Sequence, residues 1–418
     1  MTRQATHPNE SNVASYNRVF TYVIKSAKGS IIRDEEGTEY IDFFSGAGAN
    51  NYGHNPEPMK TALLEYIQAD GINNSLDMMT SVKSDFIDAY VKYILKPRGL
   101  DYRLQFAGPT GANTVEAALK LARLATGRSN VVAFSLGFHG VSLGALAVTS
   151  NPYFRDAAGV ELKYADFIDY DAGDEQEAVA RLEEQFRALV EEKGVPAGAI
   201  VECIQGEGGV NAARPAWLKK LRELTEEHGV LLIIDDIQAG CGRSGNYFSF
   251  EESGIVPDLV TQSKSISGFG APMSLLLVKP EYDIWKPAQH NGTFRGNNHA
   301  FVTGTATIEA FWKDDTLMQE VARKAAVISE AFDAIIVAHP EMKLVRKGRG
   351  FFQGLSFADP KQAAATSRMA FKNGLIIERA GPDDEVVKAF CALTIDDGTL
   401  RKGLEILAQS IDEVAKNA

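Results

Sequence analysis

The sequence is poor in cysteine, with only Cys203, Cys241 and Cys391 in 418 residues. An odd number of widely separated cysteines does not suit a disulfide framework, and none stands in a CxxC pair or at a metal-ligand spacing. We therefore expect free thiols in a reducing compartment and no metal site.

The chain also lacks a long apolar run and an excess of positive charge. No segment approaches the ~18 apolar residues of a membrane span, and the polar N-terminus has no apolar signal region. The net charge is −12, from 43 Lys and Arg against 55 Asp and Glu. Because duplex nucleic acids are bound by basic faces, this charge opposes nucleic-acid binding. We expect a cytoplasmic globular protein whose partners are small molecules, with no membrane contact.

What the sequence does have is an alternation of short apolar segments with amphipathic helices. Helices are predicted over 113–127, 174–193 and 215–228, and apolar segments such as NVVAFS, AGAIVECI and VLLIIDD lie between or after them. This alternation is typical of α/β proteins, in which helices cover both faces of a mostly parallel sheet. Open sheets of this kind bind their ligands at the carboxyl ends of the strands.

The length and the last quarter of the chain indicate a second unit. A chain of 418 residues is long enough for two or three domains. Its last part has longer helical segments, predicted over 301–336 and 361–372, and weaker strands. We predict a large domain over 58–305 and a smaller α+β domain over 306–418, which the N-terminal segment 1–57 joins.

The loop 108-GPTGANTVEAALK-120 opens a predicted helix with glycine, threonine and free backbone N–H groups. A helix N-terminus of this kind binds anions such as phosphate. The alternative is an ordinary N-cap, formed by Thr110 or Asn113. The loop is neither a Walker A motif nor a GxGxxG motif, so neither ATP nor NAD is indicated.

Two further strand ends carry an aromatic ring and a buried acid. In LGFHG, Phe138 can stack on a planar ring or pack in the core, and His139 is equally ambiguous. In IIDDIQAGCGRSG, Asp235 follows four apolar residues, and an acid there is costly to bury without a cation. A protonated ring nitrogen would serve as that cation; the alternatives are a helix cap or an ion pair with Arg243.

One lysine stands among small residues in 261-TQSKSISGFG-270, just after another apolar segment. Lys264 can form a Schiff base with a carbonyl there, the small neighbours leaving access; the alternative is a solvated loop lysine. The later stretch GTFRGNN, 292–298, suits either phosphate or a plain turn. Phosphate donors, a stacking ring, a buried acid and a lone lysine together match one cofactor, pyridoxal phosphate.

These motifs resemble the class III (ω-) aminotransferases of the fold-type I pyridoxal-phosphate superfamily, over about residues 18 to 410. The most specific stretches are VECIQGEGG, LLIIDDIQAGCGRSG, SKSISGFGAPM and GTFRGNN. The resemblance implies a mostly parallel seven-stranded sheet in the large domain, and pyridoxal 5'-phosphate as cofactor. It also implies a homodimer, or a dimer of dimers, with active sites shared between subunits.

The resemblance also implies a role for each matching residue. Lys264 would hold the cofactor aldehyde and move the substrate proton, and Asp235 would pair with the pyridine nitrogen; these are the two catalytic residues. The other implied cofactor contacts are Thr110, Gly111 and Ala112 at the phosphate, Thr293 at the phosphate from the other subunit, Phe138 on the ring, Gln238 at the ring hydroxyl, and His139 and Glu207 nearby. The implied substrate contacts are Glu202 and Glu207.

Two departures from the family pattern concern anion binding. The usual Ser-Gly-Thr-Glu-Ala is here 110-TGANT-114, which keeps a hydroxyl and the glycine. Many relatives have a C-terminal arginine that binds the substrate carboxylate, and Lys388 stands in the matching stretch DEVVKAFCALTI. Lysine lacks the bidentate fork of arginine. Lys388, Arg295 and Arg379 therefore stay open as candidates for the carboxylate.

The stretches FAGPTGANTVEAALKLAR, DDIQAGCGRSG and HNGTFRGNN are most similar to one branch of this family. That branch moves the amino group of L-glutamate to L-aspartate 4-semialdehyde, giving L-2,4-diaminobutyrate and 2-oxoglutarate in the first step of ectoine biosynthesis. The alternatives are another ω-aminotransferase, acting on ornithine, 4-aminobutyrate or a β-amino acid, an aminomutase on the same fold, and a non-catalytic protein.

Overall fold

The computed structural model describes residues 4–416. The extreme ends of the predicted N-terminal and C-terminal segments, 1–3 and 417–418, lie outside the described residues. The strands fall into two seven-stranded sheets and one two-stranded ribbon. Within 4–416, no helix combines the length and the apolar composition needed to cross a membrane.

Sixteen strands build these sheets. In chain order they are β1 (Ile24–Lys28), β2 (Ile31–Asp34), β3 (Glu39–Phe43), β4 (Arg103–Gly108), β5 (Val131–Phe134), β6 (Ala165–Ile168), β7 (Gly198–Val201), β8 (Ile204–Gln205), β9 (Asn211–Ala212), β10 (Leu231–Asp235), β11 (Leu259–Gln262), β12 (Ser274–Val278), β13 (Val345–Arg349), β14 (Phe352–Ser356), β15 (Leu375–Ala380) and β16 (Val386–Ala389).

The α-helices cover the sheets and connect their strands. In chain order they are α1 (Tyr16–Val19), α2 (Ser45–Gly48), α3 (Glu57–Gln68), α4 (Ser81–Tyr90), α5 (Gly111–Thr126), α6 (Leu143–Ala147), α7 (Pro152–Arg155), α8 (Glu175–Lys193), α9 (Pro215–His228), α10 (Asn298–Phe311), α11 (Thr316–Ala338), α12 (Pro360–Lys372) and α13 (Asp397–Lys416).

The first sheet has the order β4-β12-β11-β10-β7-β5-β6. Strands β11, β10, β7, β5 and β6 run parallel, and β12 runs antiparallel to both of its neighbours. Every residue of β5, β7, β10, β11 and β12 is buried, as expected for strands covered on both faces. The predicted α/β class and the mostly parallel seven-stranded sheet are confirmed.

The second sheet has the order β1-β2-β3-β15-β16-β14-β13, so it joins N-terminal and C-terminal strands. Strand β3 pairs parallel with β15, and β15 pairs antiparallel with β16. Direct cross-strand neighbours share one side of a sheet, and on this pair Glu378 of β15 lies opposite Lys388 of β16. The predicted domain boundaries at 57 and 305 stay a prediction.

The helical segment predicted over 301–336 is wrong in one respect, because it is two helices. Helix α10 ends at Phe311 and α11 begins at Thr316. Between them the Trp312 indole N–H donates to the Tyr52 hydroxyl over 2.8 Å, which anchors the break in the core. The Asp314 carboxylate then accepts the backbone N–H of Thr316, the first residue of α11, at 2.9 Å.

Candidate active site

The parallel strands of the first sheet bring the candidate residues to one edge. Asp235 ends β10, Lys264 follows β11 by two residues, and the loop after β5 carries Phe138 and His139. They meet in a cavity of about 190 Å³. Its lining consists of Gly111, Ala112, Phe138, His139, Gly140, Glu202, Glu207, Asp235, Ile237, Gln238 and Lys264.

The Asp235 carboxylate is buried and fixed on both oxygens. Its Oδ2 lies 2.7 Å from Nδ1 of His139, and its Oδ1 accepts the Ile237 N–H and the Thr261 hydroxyl, each at 3.2 Å. The ion pair with Arg243 considered from the sequence is wrong. The Arg243 guanidinium instead donates to the Asn51 side chain and the Cys391 carbonyl, and lies 4.1 Å from the Phe390 ring centre.

The pairing of His139 with Asp235 affects the charge of the imidazole. Burial alone would lower the pKa of His139, but the hydrogen bond to Asp235 and the charges of Asp235 and Glu202 outweigh it and raise that pKa. Because an ionised carboxylate only accepts hydrogen bonds, Nδ1 of His139 carries the proton that faces Asp235. His139 therefore holds the Asp235 carboxylate in place as a buried acceptor.

The Lys264 side chain lines the cavity, so it is not a solvated loop lysine. Its Nζ donates to the Ala47 carbonyl over 2.8 Å, and burial lowers the pKa of its ammonium group. A lowered pKa increases the fraction of the side chain that is present as the neutral, nucleophilic amine. The backbone of Lys264 has φ of 47°, a left-handed value that costs free energy in a non-glycine residue and is found preferentially at functional sites.

The small residues next to Lys264, which were predicted to leave access to its amine, are also required by packing. A Cβ on Gly268 would lie 1.6 Å from Oγ1 of Thr307 on α10, and Gly268 has φ of 68°. The Ser265 hydroxyl donates to the Gly48 carbonyl at 2.5 Å. Glycine and serine are thus required here for close contact with α10 and α2.

Only part of the loop predicted to bind phosphate, 110–112, faces the cavity. Gly111 and Ala112, at the start of α5, line the cavity, whereas Thr110 is exposed. Thr110 forms the N-cap considered from the sequence: a capping box in which its hydroxyl also donates to Asn113 Oδ1 at 2.9 Å. A Cβ at position 111 would lie 2.9 Å from Ile237 Cδ1, so the cavity wall favours glycine.

Glu202 is tied to the backbone of the loop that carries Phe138. Its Oε2 accepts the Phe138 N–H and its Oε1 accepts the Gly206 N–H, both at 3.0 Å. Burial raises the pKa of Glu202 to about 7, with the nearby charge of Asp235 acting in the same direction. Phe138 itself packs edge-on against Phe154, with 5.5 Å between ring centres. Glu202 thus positions Phe138 in the cavity wall.

Glu207 and Lys388 form an ion pair, with 3.3 Å between Oε1 and Nζ. Lys388 is fully buried and contacts a second carboxylate, Glu378, with Nζ 2.8 Å from Oε2. Glu378 in turn accepts the Tyr16 hydroxyl at 2.7 Å. The sequence reasoning missed Glu378 and Tyr16; an acid inside the apolar segment LIIERA was the only signal for the first.

Gln238 lines the cavity and packs closely against Gly206. Its Nε2 donates to the Ala47 carbonyl at 3.2 Å, and a Cβ on Gly206 would lie 1.6 Å from its Oε1. That Oε1 atom is buried and has no hydrogen-bond partner within the described chain. Ile237, another residue that the sequence reasoning missed, adds an apolar wall; its place between Asp235 and Gln238 in DDIQ was the available signal.

Three residues predicted for the site do not line this cavity, namely Thr293, Arg295 and Arg379. The Asn74 amide donates to the Thr293 carbonyl at 3.0 Å, and Arg295 donates to the His290 carbonyl at 2.7 Å and pairs with Asp77. Arg379 pairs with Asp384 over 3.2 Å. The structure therefore brings Lys388, but neither Arg295 nor Arg379, to the acids of this chain's cavity.

The donor set of the cavity fits a phosphorylated pyridine aldehyde. The buried acid Asp235 suits a protonated ring nitrogen, an amine of lowered pKa suits an aldehyde, and the N-terminus of α5 suits a phosphate. The apolar side chains of Phe138 and Ile237 suit the faces of a planar ring, and the unpaired Oε1 of Gln238 suits a ring hydroxyl.

The chain is similar to known proteins over nearly its whole length. The family model for class-III aminotransferases matches residues 12–411. The diaminobutyrate–2-oxoglutarate transaminase of Marinococcus halophilus is 51% identical over 407 residues, covering 97% of this chain and 95% of the relative. That of Bordetella parapertussis is 50% identical over 405 residues, covering 96% and 93%.

A solved ornithine aminotransferase from Toxoplasma gondii, described with partial occupancy of PLP at its active site, superposes with a TM-score of 0.83. It is 25% identical in sequence, and the match covers 95% of this chain and 91% of that one.

Proposed function

The chain is a member of the class-III aminotransferases, and we propose that it transfers the amino group of L-glutamate to L-aspartate 4-semialdehyde, giving L-2,4-diaminobutyrate and 2-oxoglutarate. The family depends on pyridoxal 5'-phosphate. The observation that carries the proposal is the meeting of Lys264, Asp235 and the start of α5 in one cavity. The relatives named for diaminobutyrate and 2-oxoglutarate, at about half identity over nearly the whole chain, support the substrate pair.

When bound, pyridoxal phosphate supplies an electrophilic carbonyl and an electron sink for the electrons of the substrate C–H bond. Asp235, fixed by His139, Ile237 and Thr261, would accept a hydrogen bond from the protonated ring nitrogen. The backbone N–H groups of Gly111 and Ala112 would bind the phosphate.

Lys264 would serve first as the amine that holds the cofactor and then as a general base. Its Nζ would take the proton from the substrate carbon that bears the transferred nitrogen. It would then deliver that proton to the cofactor carbon bonded to the same nitrogen. Burial, which lowers the pKa of Nζ, favours the neutral amine that this step requires. Phe138, positioned through Glu202, and Ile237 would limit the access of water to the ring.

A homodimer with shared active sites is part of the proposal. Thr293 and Arg295 lie in a turn that contacts the 72–79 loop of the same chain, through Asn74 and Asp77. Large apolar side chains are exposed on and beside this turn, namely Leu76, Met78, Met79 and Phe294. Such a patch suits contact with a second copy, which would place Thr293 at the phosphate of the partner's cofactor.

The amino-acceptor profile of the cofactor-loaded protein tests the substrate assignment. With L-glutamate as donor, we expect aspartate 4-semialdehyde to be the best acceptor, and the Lys264→Ala variant to be inactive with every acceptor. A preference for glutamate semialdehyde, succinic semialdehyde or a 3-oxo acid would reassign the enzyme to the ornithine, 4-aminobutyrate or β-amino acid branch. The place in ectoine biosynthesis and the cytoplasmic location stay predictions.

A further inference from the structure

Four residues beside the cavity form a connected group, here called the Lys388 cluster: Tyr16, Glu207, Glu378 and Lys388. The Lys388 ammonium lies between the carboxylates of Glu207 and Glu378. Their charges raise the pKa of Lys388 in spite of its burial, and the charges of Lys388 and Lys264 lower the pKa of Glu207 in spite of its partial burial. With two carboxylates against one ammonium group, the cluster has a net charge of −1.

The two carboxylates do not hold Lys388 equally. Glu378 is buried, lies directly opposite Lys388 on the neighbouring strand, and approaches Nζ to 2.8 Å. The Tyr16 hydroxyl, which donates to its other oxygen, fixes it further. Glu207 is more distant, at 3.3 Å, and lines the cavity. Glu378 is therefore the fixed counter-ion of Lys388, and the surplus negative charge lies on Glu207.

This division has an energetic consequence. Removing the sole partner of a buried charge destabilises a protein strongly, because it leaves that charge uncompensated. Lys388 keeps Glu378 when Glu207 moves or binds something else. Glu207 is thus free to accept a hydrogen bond from a cation in the cavity.

We propose that Glu378 is a specificity-determining positioning residue, which neutralises Lys388 so that Glu207 is available to the distal ammonium group of an amino-acid substrate. This rests on the proposed function. L-2,4-diaminobutyrate and aspartate 4-semialdehyde have such an ammonium group, two carbons from the reacting one. The carbon that bears this ammonium group also carries a carboxylate, so their distal end has no net charge, whereas the distal end of glutamate and 2-oxoglutarate is a carboxylate alone. A net negative cluster favours the first pair over the second.

The test compares the two half-reactions of the holoenzyme in Glu378→Gln, which makes the cluster neutral. In single turnovers, the apparent Kd for diaminobutyrate with the pyridoxal form should rise roughly tenfold, and that for 2-oxoglutarate with the pyridoxamine form should fall several-fold. Glu378→Asp, which restores the charge, should restore much of the wild-type ratio. Equal shifts for both substrates, or none, would overturn the proposal.

Two controls separate electrostatics from packing. Glu192→Gln makes the same change of charge at an exposed position of α8 and should leave both constants unchanged. Tyr16→Phe keeps every charge but removes the hydrogen bond to Glu378, and it should shift the two constants in the directions of Glu378→Gln by about twofold. Tyr16→Phe also decides the proposal if Glu378→Gln fails to fold, since an unchanged ratio would then contradict it.

A readout other than turnover is the binding of glutarate, a dianion without an amino group, followed by calorimetry on the holoenzyme. Glu378→Gln should bind glutarate several-fold more tightly than wild type, and Glu192→Gln should not. Tighter binding in neither variant would contradict the proposal. A wild-type protein that does not react with diaminobutyrate would instead remove the proposed function.

Discussion

Asp235 and His139 form a buried pair at the carboxyl end of β10, with 2.7 Å between Oδ2 and Nδ1. The next residue, Asp236, is equally buried but faces the other way: its Oδ1 accepts the Ser249 N–H at 3.1 Å, and burial raises its pKa to about 8. The two adjacent acids therefore face different surroundings, and we assign only Asp235, which lines the cavity, to the cofactor.

The first prediction compares Asp235→Asn with Asp236→Asn. An amide at 235 cannot form the charge-assisted bond to a protonated ring nitrogen, which contributes about 1.5–3 kcal/mol. The dissociation constant for pyridoxal phosphate, measured by equilibrium dialysis, should then rise between tenfold and about a hundredfold. Asp236→Asn should bind the cofactor like wild type, and similar losses in both variants would contradict the assignment.

The second prediction concerns stability and pH. Because the pKa of Asp236 is raised from its usual 3.8 to about 8 in the folded protein, the unfolded chain loses the proton first as pH rises. Between pH 3.8 and about pH 8, this group lowers the free energy of unfolding by about 1.4 kcal/mol per pH unit. Below pH 3.8 it has no such effect. Asp236→Asn removes this loss.

The variant's advantage over wild type in the free energy of unfolding, measured by urea titration, should therefore grow from pH 5 to pH 7. An advantage independent of pH would show that Asp236 is ionised in the folded protein.

The third prediction tests the close contact behind Lys264. Gly268→Ala should destabilise the protein by roughly 1–3 kcal/mol in addition to its backbone strain, because its Cβ would overlap Thr307. Gly254→Ala is the matched control: its φ of 69° is nearly that of Gly268, and a Cβ there would meet no atom of the described chain within 4 Å. The control measures the strain of the left-handed backbone alone, roughly 1–2 kcal/mol. Equal losses in thermal unfolding would rule out the packing explanation.

The fourth prediction tests the shared active site by complementation. Lys264→Ala and Thr293→Ala chains, each inactive or strongly impaired, are mixed, unfolded and refolded together. If Thr293 serves the partner's cofactor, one site of each mixed dimer has both residues intact, so about a quarter of wild-type activity should return. If Thr293 serves its own chain, no site regains both residues and activity should stay at the level of the separate variants.

The parts of the site that are local in sequence were predictable. Asp235 ends β10 and Lys264 follows β11 by two residues, and parallel strands place such positions at one edge whatever the rest of the fold does. The start of α5 was predictable for the same reason, since Thr110 and Asn113 form a capping box within four residues. Because Asp235, Lys264 and the start of α5 are neighbours, they can together contact the ring nitrogen, the aldehyde and the phosphate of one cofactor.

The parts that depend on distant contacts were not predictable. The pairing of Glu378 with Lys388 depends on the register of β15 against β16, and Tyr16 reaches Glu378 across more than three hundred residues of chain. The choice of His139 over Arg243 as the partner of Asp235 likewise depends on how the loops fold back. The break between α10 and α11 depends on Trp312 reaching Tyr52.

The central claim is that Lys264 holds the cofactor, and one measurement tests it directly. Reduction of the cofactor-loaded protein with borohydride fixes the covalent link, and peptide mass spectrometry locates it. We expect the pyridoxyl group on the peptide that contains Lys264, and none on that peptide in Lys264→Ala. A pyridoxyl group on another lysine of the wild-type protein, or none at all, would contradict the account.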